Sequence, residues 1–274
     1  MLSTIERFRN AFFEANGEDA AALVTSGENR FYLTGFHSSA GAVLVTSKKS
    51  YFMTDFRYAE AARRVVKDCE VLCTRRTTET ICDLLKQDHV QRVLVEYDKL
   101  SLKQACLFEQ AFAAVGAAEE KGEKLDLLLQ ELRTIKTPDE IRKLKEAQKI
   151  TDDAFTHILD YIRAGRTERE VALELEFFMR KEGAEGVSFD FIVVSGKNGS
   201  LCHGVPSDKV IEDGDFVTMD TGALLHGYHA DMTRTVAGGH MSDEQRHAYD
   251  LVLKAQLDAI AAVKPGVTCG SIDK

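Results

Sequence analysis

Two aspartates, Asp220 and Asp231, lie in a segment of alternating polar and apolar residues, and they are the residues best placed to do chemistry. If residues 216–236 form a β-hairpin that closes on Leu225 and His226, the two aspartates lie directly opposite each other. Side chains that are opposed in this way have Cβ atoms about 4.5–5.5 Å apart. Because strand residues alternate between faces, both aspartates then share one face. The sequence therefore predicts a pair of neighbouring carboxylates.

Neighbouring carboxylates on a half-buried sheet repel each other, and three interpretations of the pair remain open. In the first, the two groups share one proton as an acid–base dyad. In the second, they bind one cation or two bridged cations, and ligation by oxygen alone favours manganese or magnesium over zinc. In the third, they are solvated strand residues paired with Arg234. Strand register decides among these interpretations, and the spacing alone does not fix it.

A further candidate is His203, which ends a loop rich in Gly, Ser and Asn over residues 195–206. A loop histidine beside an acidic site can donate a hydrogen bond to a reacting carbonyl or move a proton. The alternative is a surface or capping histidine. Cys202 precedes it, but neighbours in an extended segment point to opposite sides, which argues against a Cys–His nucleophile. His229 is an additional candidate, because alternation places it on the face of Asp231.

The elements that position these residues fall into two groups. Strands at 20–25, 42–45, 51–54, 70–74 and 92–96 alternate with helices at 1–16, 57–67, 78–87 and 101–115, which indicates an α/β domain. A helix at 123–134 follows, and Thr137, Pro138 and Glu140 then open a helix that runs to about Arg163. After a helix capped by Thr167, strands dominate, and a helix capped by Ser242 closes an α+β arrangement. We place the domains at 1–132 and 133–274.

Length, composition and charge exclude several classes of function. A chain of 274 residues suggests about two domains, and 44% hydrophobic with 29% charged residues is typical of globular proteins. A net charge of −9 argues against binding to nucleic acid or to an anionic membrane. The sequence shows no signal peptide and no apolar run near the roughly 18 residues of a membrane span. Its six cysteines are scattered, without the regular spacing of a disulfide framework. We therefore expect a cytoplasmic protein.

Several stretches, taken in order, resemble the pita-bread metallopeptidases, specifically the aminopeptidase P and prolidase (Xaa-Pro dipeptidase) branch. In the second half they are RTIK (133–136), GRTE (165–168), SFDFIVVSG (188–196), HGVP (203–206), MDTG (219–222), GYHADMTRT (227–235) and KPG (264–266). The first half resembles the creatinase-type N-terminal domain through NRFYLTGF (29–36) and TDFRY (54–58). The resemblance covers nearly the whole chain. It implies an α/β creatinase-like domain followed by an incomplete α+β pita-bread domain.

The resemblance implies hydrolysis of the bond between an N-terminal residue and a following proline, with two divalent metal ions, usually manganese or cobalt. It implies that Asp220 is a terminal ligand of one metal, that Asp231 bridges both, and that His203 contacts substrate near the scissile bond. The metals would polarise the carbonyl and activate water. Proline-containing peptides are the expected partners, together with a second copy of the chain in a homodimer. We add His229 as a substrate-binding candidate.

The family's other three metal ligands, one His and two Glu, follow the helix that ends near Val263, and the sequence reaches Lys274 without them. We therefore expect that these residues hold the N-terminal part of a pita-bread domain and have little activity alone. Two alternatives stay open. One is a non-catalytic binding or dimerising module, and the other is a metal-free C–N hydrolase like creatinase. Retention of Asp220 and Asp231 argues against the metal-free hydrolase.

Overall fold

A six-stranded mixed sheet forms the centre of the first of two units in the computed structural model, which describes residues 2–273. The units are Met1–Lys136 and Thr137–Lys274. The elements of the first unit are α1 (Thr4–Asn16), β1 (Ala20–Val24), α2 (Gly27–Thr34), β2 (Ala42–Val45), β3 (Ser50–Thr54), α3 (Phe56–Val65), β4 (Glu70–Cys73), α4 (Thr77–Gln87), β5 (Arg92–Val95), α5 (Leu102–Ala113), β6 (Ala118–Glu120) and α6 (Lys124–Thr134).

The strands of this sheet run in the order β4-β3-β2-β1-β5-β6. β2 is antiparallel to both of its neighbours, whereas the other adjacent pairs are parallel. One apolar cluster packs α1 and α6 against the sheet, and a second packs α4 and α5 against it. All five residues of β1 are fully buried, because helices cover both faces. The predicted α/β architecture is confirmed, although α2 and β6 were not predicted.

The division between the units falls after Lys136, four residues beyond the predicted boundary at 132/133. Helix α6 accounts for this position, because Leu125 and Leu129 are buried in an apolar cluster of the first unit. The last turn of α6, which ends at Thr134, therefore belongs to the first unit.

The second unit contains two helices followed by short strands and a terminal helical region. Its elements are α7 (Pro138–Ile158), α8 (Glu168–Lys181), β7 (Gly186–Val187), β8 (Ile192–Ser195), a 3₁₀ turn (Gly196–Ser200), β9 (Phe216–Thr221), β10 (Ala223–Leu225), β11 (Tyr228–His229), β12 (Met232–Ala237), α9 (Asp243–Ala262) and α10 (Cys269–Asp273). The predicted N-caps Thr137, Thr167 and Ser242 are confirmed, each in a reciprocal capping box. α7 is shorter than predicted and ends at Ile158.

Two three-stranded antiparallel sheets follow α7 and α8, in the orders β11-β10-β7 and β12-β9-β8. Apolar side chains of both helices pack on Val193, Val217 and Met219, which form the core of this unit. The predicted α+β arrangement is confirmed. Within residues 2–273, no helix combines the length and apolar character needed to cross a bilayer.

Candidate functional site

The hairpin that carries the two aspartates closes on His226 and Gly227. Both residues have positive φ, 53° and 71°, as a two-residue type I′ turn requires. The predicted closure on Leu225 and His226 is therefore wrong by one residue, because Leu225 is the last residue of β10. Glycine at the second turn position adopts this conformation without steric cost.

This turn changes the partner of each aspartate. Asp220 pairs with Thr233, and in the same register Asp231 lies opposite Gly222. The predicted direct Asp220–Asp231 pairing is wrong, since the aspartates are diagonal neighbours. A shift of two residues leaves every side chain on its predicted face, whereas a shift of one would have reversed them. Diagonal neighbours remain within reach of each other.

The carboxyl groups of Asp220 and Asp231 are near enough to influence each other's ionisation. Burial raises the pKa of the Asp231 carboxyl above its ordinary value, and the adjacent Asp220 carboxylate raises it further. The Oδ1 atom of Asp220 is buried and accepts no hydrogen bond from any described residue. A buried carboxylate oxygen without a partner is costly, and the pair therefore suits either a shared proton or a bound cation.

A cation fits this pair, because it would give Asp220 Oδ1 a partner and offset the repulsion between the carboxylates. Donor oxygens favour hard divalent metals such as manganese. Over residues 2–273, His, Cys, Asp and Glu side chains form no group of three or more arranged to hold a metal. The described chain thus supplies two carboxylates toward such a site.

Arg234, the partner considered for solvated aspartates, does not neutralise them. It is paired with Met219 in the β9–β12 ladder, and the residues of that pair belong to the opposite face from Asp220. Its guanidinium instead donates to the carbonyl of Thr233. The interpretation of the aspartates as an ordinary ion pair with Arg234 is therefore wrong.

His203 lies in the segment that follows the 3₁₀ turn after β8, and its side chain is exposed. The next residue, Gly204, touches the sheet: a Cβ on it would lie 2.5 Å from Val194 Cγ1. Val194 pairs with Thr218, two residues before Asp220 on the same face. The glycine thus brings the His203 segment down onto the face that carries Asp220.

The remaining predicted residues lie nearby in the chain but differ in their contacts. The Nδ1 atom of His229 lies 3.1 Å from the carbonyl oxygen of Ser188, which fixes the ring at the end of the hairpin. Cys202 is an exposed free thiol. Among the described residues, neither His203 nor Cys202 has a side-chain hydrogen bond, so the structure gives no support to a Cys–His pair.

One residue with a large role was not singled out by spacing. Glu168, at the start of α8, is fully buried and receives hydrogen bonds from both ends of the loop that contains His203. The available signal was the GRTE stretch, in which Glu168 directly follows the N-cap Thr167.

Comparison with known proteins matches both units to described families. The model of metallopeptidase family M24 matches residues 142–274, and the creatinase/prolidase N-terminal domain matches residues 5–135. The uncharacterized peptidase YqhT of Bacillus subtilis is 42% identical over 96% of this chain and 73% of its own length.

Solved structures give the same result. An Xaa-Pro dipeptidase from Bacillus anthracis is 42% identical with a TM-score of 0.89, over 98% of this chain and 74% of that one. An X-Pro aminopeptidase from Thermotoga maritima is 33% identical with a TM-score of 0.83, over 94% of this chain and 71% of that one. The chain thus spans about three quarters of the length of these relatives, and the creatinase-like and pita-bread folds are confirmed.

Proposed function

Because the chain belongs to metallopeptidase family M24 and carries a creatinase/prolidase N-terminal domain, we propose that it cleaves the bond between an N-terminal residue and proline with the aid of two divalent metal ions. It is a peptidase by family, and peptides are its substrates. Solved relatives carry the names Xaa-Pro dipeptidase and X-Pro aminopeptidase, which supports the preference for proline.

The observation that carries this proposal is the partnerless Oδ1 of Asp220 beside the Asp231 carboxyl. A buried carboxylate oxygen usually has a donor in the fold, and the second carboxyl beside Asp220 adds repulsion to the missing hydrogen bond. We assign Asp220 as a terminal ligand and Asp231 as the bridging ligand, with manganese as the expected ion and cobalt as the alternative. Bound metals would polarise the scissile carbonyl and activate water.

The protein's own groups would orient the substrate around that centre. His203 is exposed on a segment that lies against the aspartate face, and an imidazole there can donate a hydrogen bond to the carbonyl under attack. We assign His229 to substrate binding, because its ring is held at the hairpin end and its surface remains exposed.

The wider organisation belongs to the same proposal. We assign residues 1–136 to the creatinase-like domain and 137–274 to the catalytic domain, and we propose a cytoplasmic homodimer. By family resemblance, the site takes three further ligands, one His and two Glu, and residues 2–273 form no group of three or more side chains arranged to hold a metal. The 274-residue chain by itself is therefore expected to bind manganese weakly and to turn over slowly.

The test uses the protein encoded by the complete reading frame that contains this sequence. After dialysis against EDTA, hydrolysis of Ala-Pro, Ala-Pro-Ala and Ala-Ala is measured without metal and with Mn²⁺, Co²⁺ or Mg²⁺. We expect Mn²⁺ to restore cleavage of the proline peptides and not of Ala-Ala. The ratio of rates for Ala-Pro and Ala-Pro-Ala separates a dipeptidase from an aminopeptidase.

Asp220→Asn and Asp231→Asn should each lower kcat/KM by more than the roughly 10–100-fold that follows the loss of an outer partner of a metal ligand. Asp153→Asn is the matched control, since Asp153 is an exposed carboxylate on α7 paired with Lys149. Hydrolysis that is unchanged by EDTA would favour a metal-free hydrolase. A stable dimer that cleaves none of the peptides would favour a binding module and overturn the proposal.

A further inference from the structure

A buried carboxylate ties down the loop that carries His203. Glu168 is fully buried at the first position of α8. Its Oε1 accepts from the backbone N–H of Ser195 at 2.7 Å and from that residue's hydroxyl at 3.0 Å. Its Oε2 accepts from the hydroxyl of Ser207 at 2.6 Å and from its N–H at 3.2 Å. One side chain therefore holds the residues on either side of loop 196–206.

The loop contributes a donor from within as well. The amide of Asn198, in the 3₁₀ turn, lies 3.0 and 3.2 Å from the two Glu168 oxygens. Every group around the carboxylate is thus a donor, and no other carboxylate competes for them. Burial alone would raise the pKa of Glu168, but the hydrogen bonds from Ser207, Asn198 and Ser195 together outweigh it and lower the pKa.

The base of the loop has one further tie. Lys209 donates to the hydroxyl of Ser195 at 3.1 Å and to Asp215 at 2.6 Å. Lys209 lies two residues after Ser207, so its bond to Ser195 also joins the two ends of the loop. Glu168 differs because it accepts from both ends and from Asn198 inside the loop. Removal of the Glu168 charge leaves the Lys209–Ser195 bond in place but weakens the contacts from the five donors that converge on the carboxylate.

We propose that Glu168 is a positioning residue: by clamping Ser195, Asn198 and Ser207 it holds loop 196–206 on the sheet and so fixes His203 over the aspartate face. This inference rests on the proposed function for the role of His203. The loop held by Glu168 lies directly against the strands of the site, because Gly204 contacts Val194 of β8, and β8 pairs with the strand of Asp220.

Glu168→Gln is the informative variant. It keeps the size of the side chain but replaces one acceptor oxygen with an NH₂ donor. Serine hydroxyls can rotate to accept a hydrogen bond, but the N–H groups of Ser195 and Ser207 cannot. One of these two N–H groups therefore loses its partner, and the loop should open about tenfold more often.

Loop opening is measured by tryptic cleavage after Lys197, an exposed loop residue, relative to cleavage after Lys121 in the first unit. We expect about tenfold faster cleavage at Lys197 in Glu168→Gln and a smaller increase in Asn198→Ala, which leaves the carboxylate in place. Glu96→Gln is the matched control, because Glu96 is equally buried and accepts from Thr25, Ser26 and Asn29. Equal cleavage at Lys197 in wild type and Glu168→Gln would overturn the clamp.

The second measurement is the rate of Xaa-Pro peptide hydrolysis by the protein encoded by the complete reading frame. Glu168→Gln should lower kcat with little change in manganese affinity. If the residue acts through His203, the double variant Glu168→Gln/His203→Ala should be no slower than His203→Ala alone. Losses that multiply in the double variant would show a purely structural role and overturn the inference. If the wild-type protein cleaves no Xaa-Pro peptide, the proposed function fails, while the tryptic experiment still decides whether the clamp exists.

Discussion

Gly222 lies in the hairpin next to both aspartates. Its replacement by alanine should disrupt both the fold of the second unit and the proposed metal site. The residue lies opposite Asp231 and two positions after Asp220. A Cβ at this position would lie 1.8 Å from the carbonyl oxygen of Ala230 and 2.6 Å from its carbonyl carbon. No rotation of a side chain relieves this clash, because both atoms belong to backbone.

The size of the effect follows from that distance. To restore even a 3.0 Å contact, the strands must move about 1.2 Å apart at Ala230. This movement strains the adjacent bonds from Ala230 N–H to Ala223 and from Ser188 N–H to Gly222, which are 3.0 and 2.8 Å long. Overpacking typically costs about 1–3 kcal/mol, and a lost backbone hydrogen bond about 1 kcal/mol more. We expect about 3 kcal/mol, or about 150-fold in local opening.

Hydrogen exchange measured by mass spectrometry on peptides that cover residues 216–237 reports this opening directly, and Mn²⁺ titration reports the site. Gly199→Ala is the control, because a Cβ there meets no atom within 4 Å. We expect faster exchange and weaker Mn²⁺ binding only in Gly222→Ala. If the variant exchanges within threefold of wild type and binds Mn²⁺ equally well, the described approach of Gly222 to Ala230 is wrong.

Three further outcomes can be checked in single experiments. Gly227→Ala should destabilise the hairpin by about 1 kcal/mol, measured by urea unfolding, because the type I′ turn holds this residue at positive φ. Loop 196–206 should lose protection from hydrogen exchange as the pH falls below about 4.5 and through the lowered pKa of Glu168. The sign follows because a carboxylate with a lowered pKa stabilises the fold only while it is ionised. Cys69, whose pKa burial raises to about 12, should resist iodoacetamide in the native protein, whereas the exposed Cys202 should react.

Local signals predicted most of the helices and strands, and distant contacts explain the exceptions. The capping box of Thr137 and Glu140 depends on residues three apart and is visible in the sequence. Helix α2 was missed because its short sequence has little apolar periodicity. Its first turn is anchored instead by Glu96, which accepts from Ser26 and from Asn29 at 2.7 Å. A contact over about 70 residues leaves no local pattern.

The candidate site was predictable in its residues and faces but not in its register. Alternation placed Asp220 and Asp231 on one face, and a register error of two residues preserved that result. The exact pairing depends on which two residues take positive φ, and the sequence Leu225-His226-Gly227 allows two choices. The structure selects His226 and Gly227 as the two turn residues, because both have positive φ.

The hydrogen bonding of Glu96 and Glu168 contrasts with that of the half-buried Asp220, which lies beside the exposed Asp231. Glu96 and Glu168 each receive hydrogen bonds from two backbone N–H groups, two hydroxyls and one amide, so their charge is satisfied by the fold itself. Asp220 keeps a buried oxygen with no donor and has a second carboxyl beside it. Nothing in the fold of the described residues requires that arrangement, since replacement of Asp231 by asparagine would remove the repulsion. The unsatisfied pair therefore supports the assignment of these aspartates to cation binding and of the satisfied glutamates to holding loops in place.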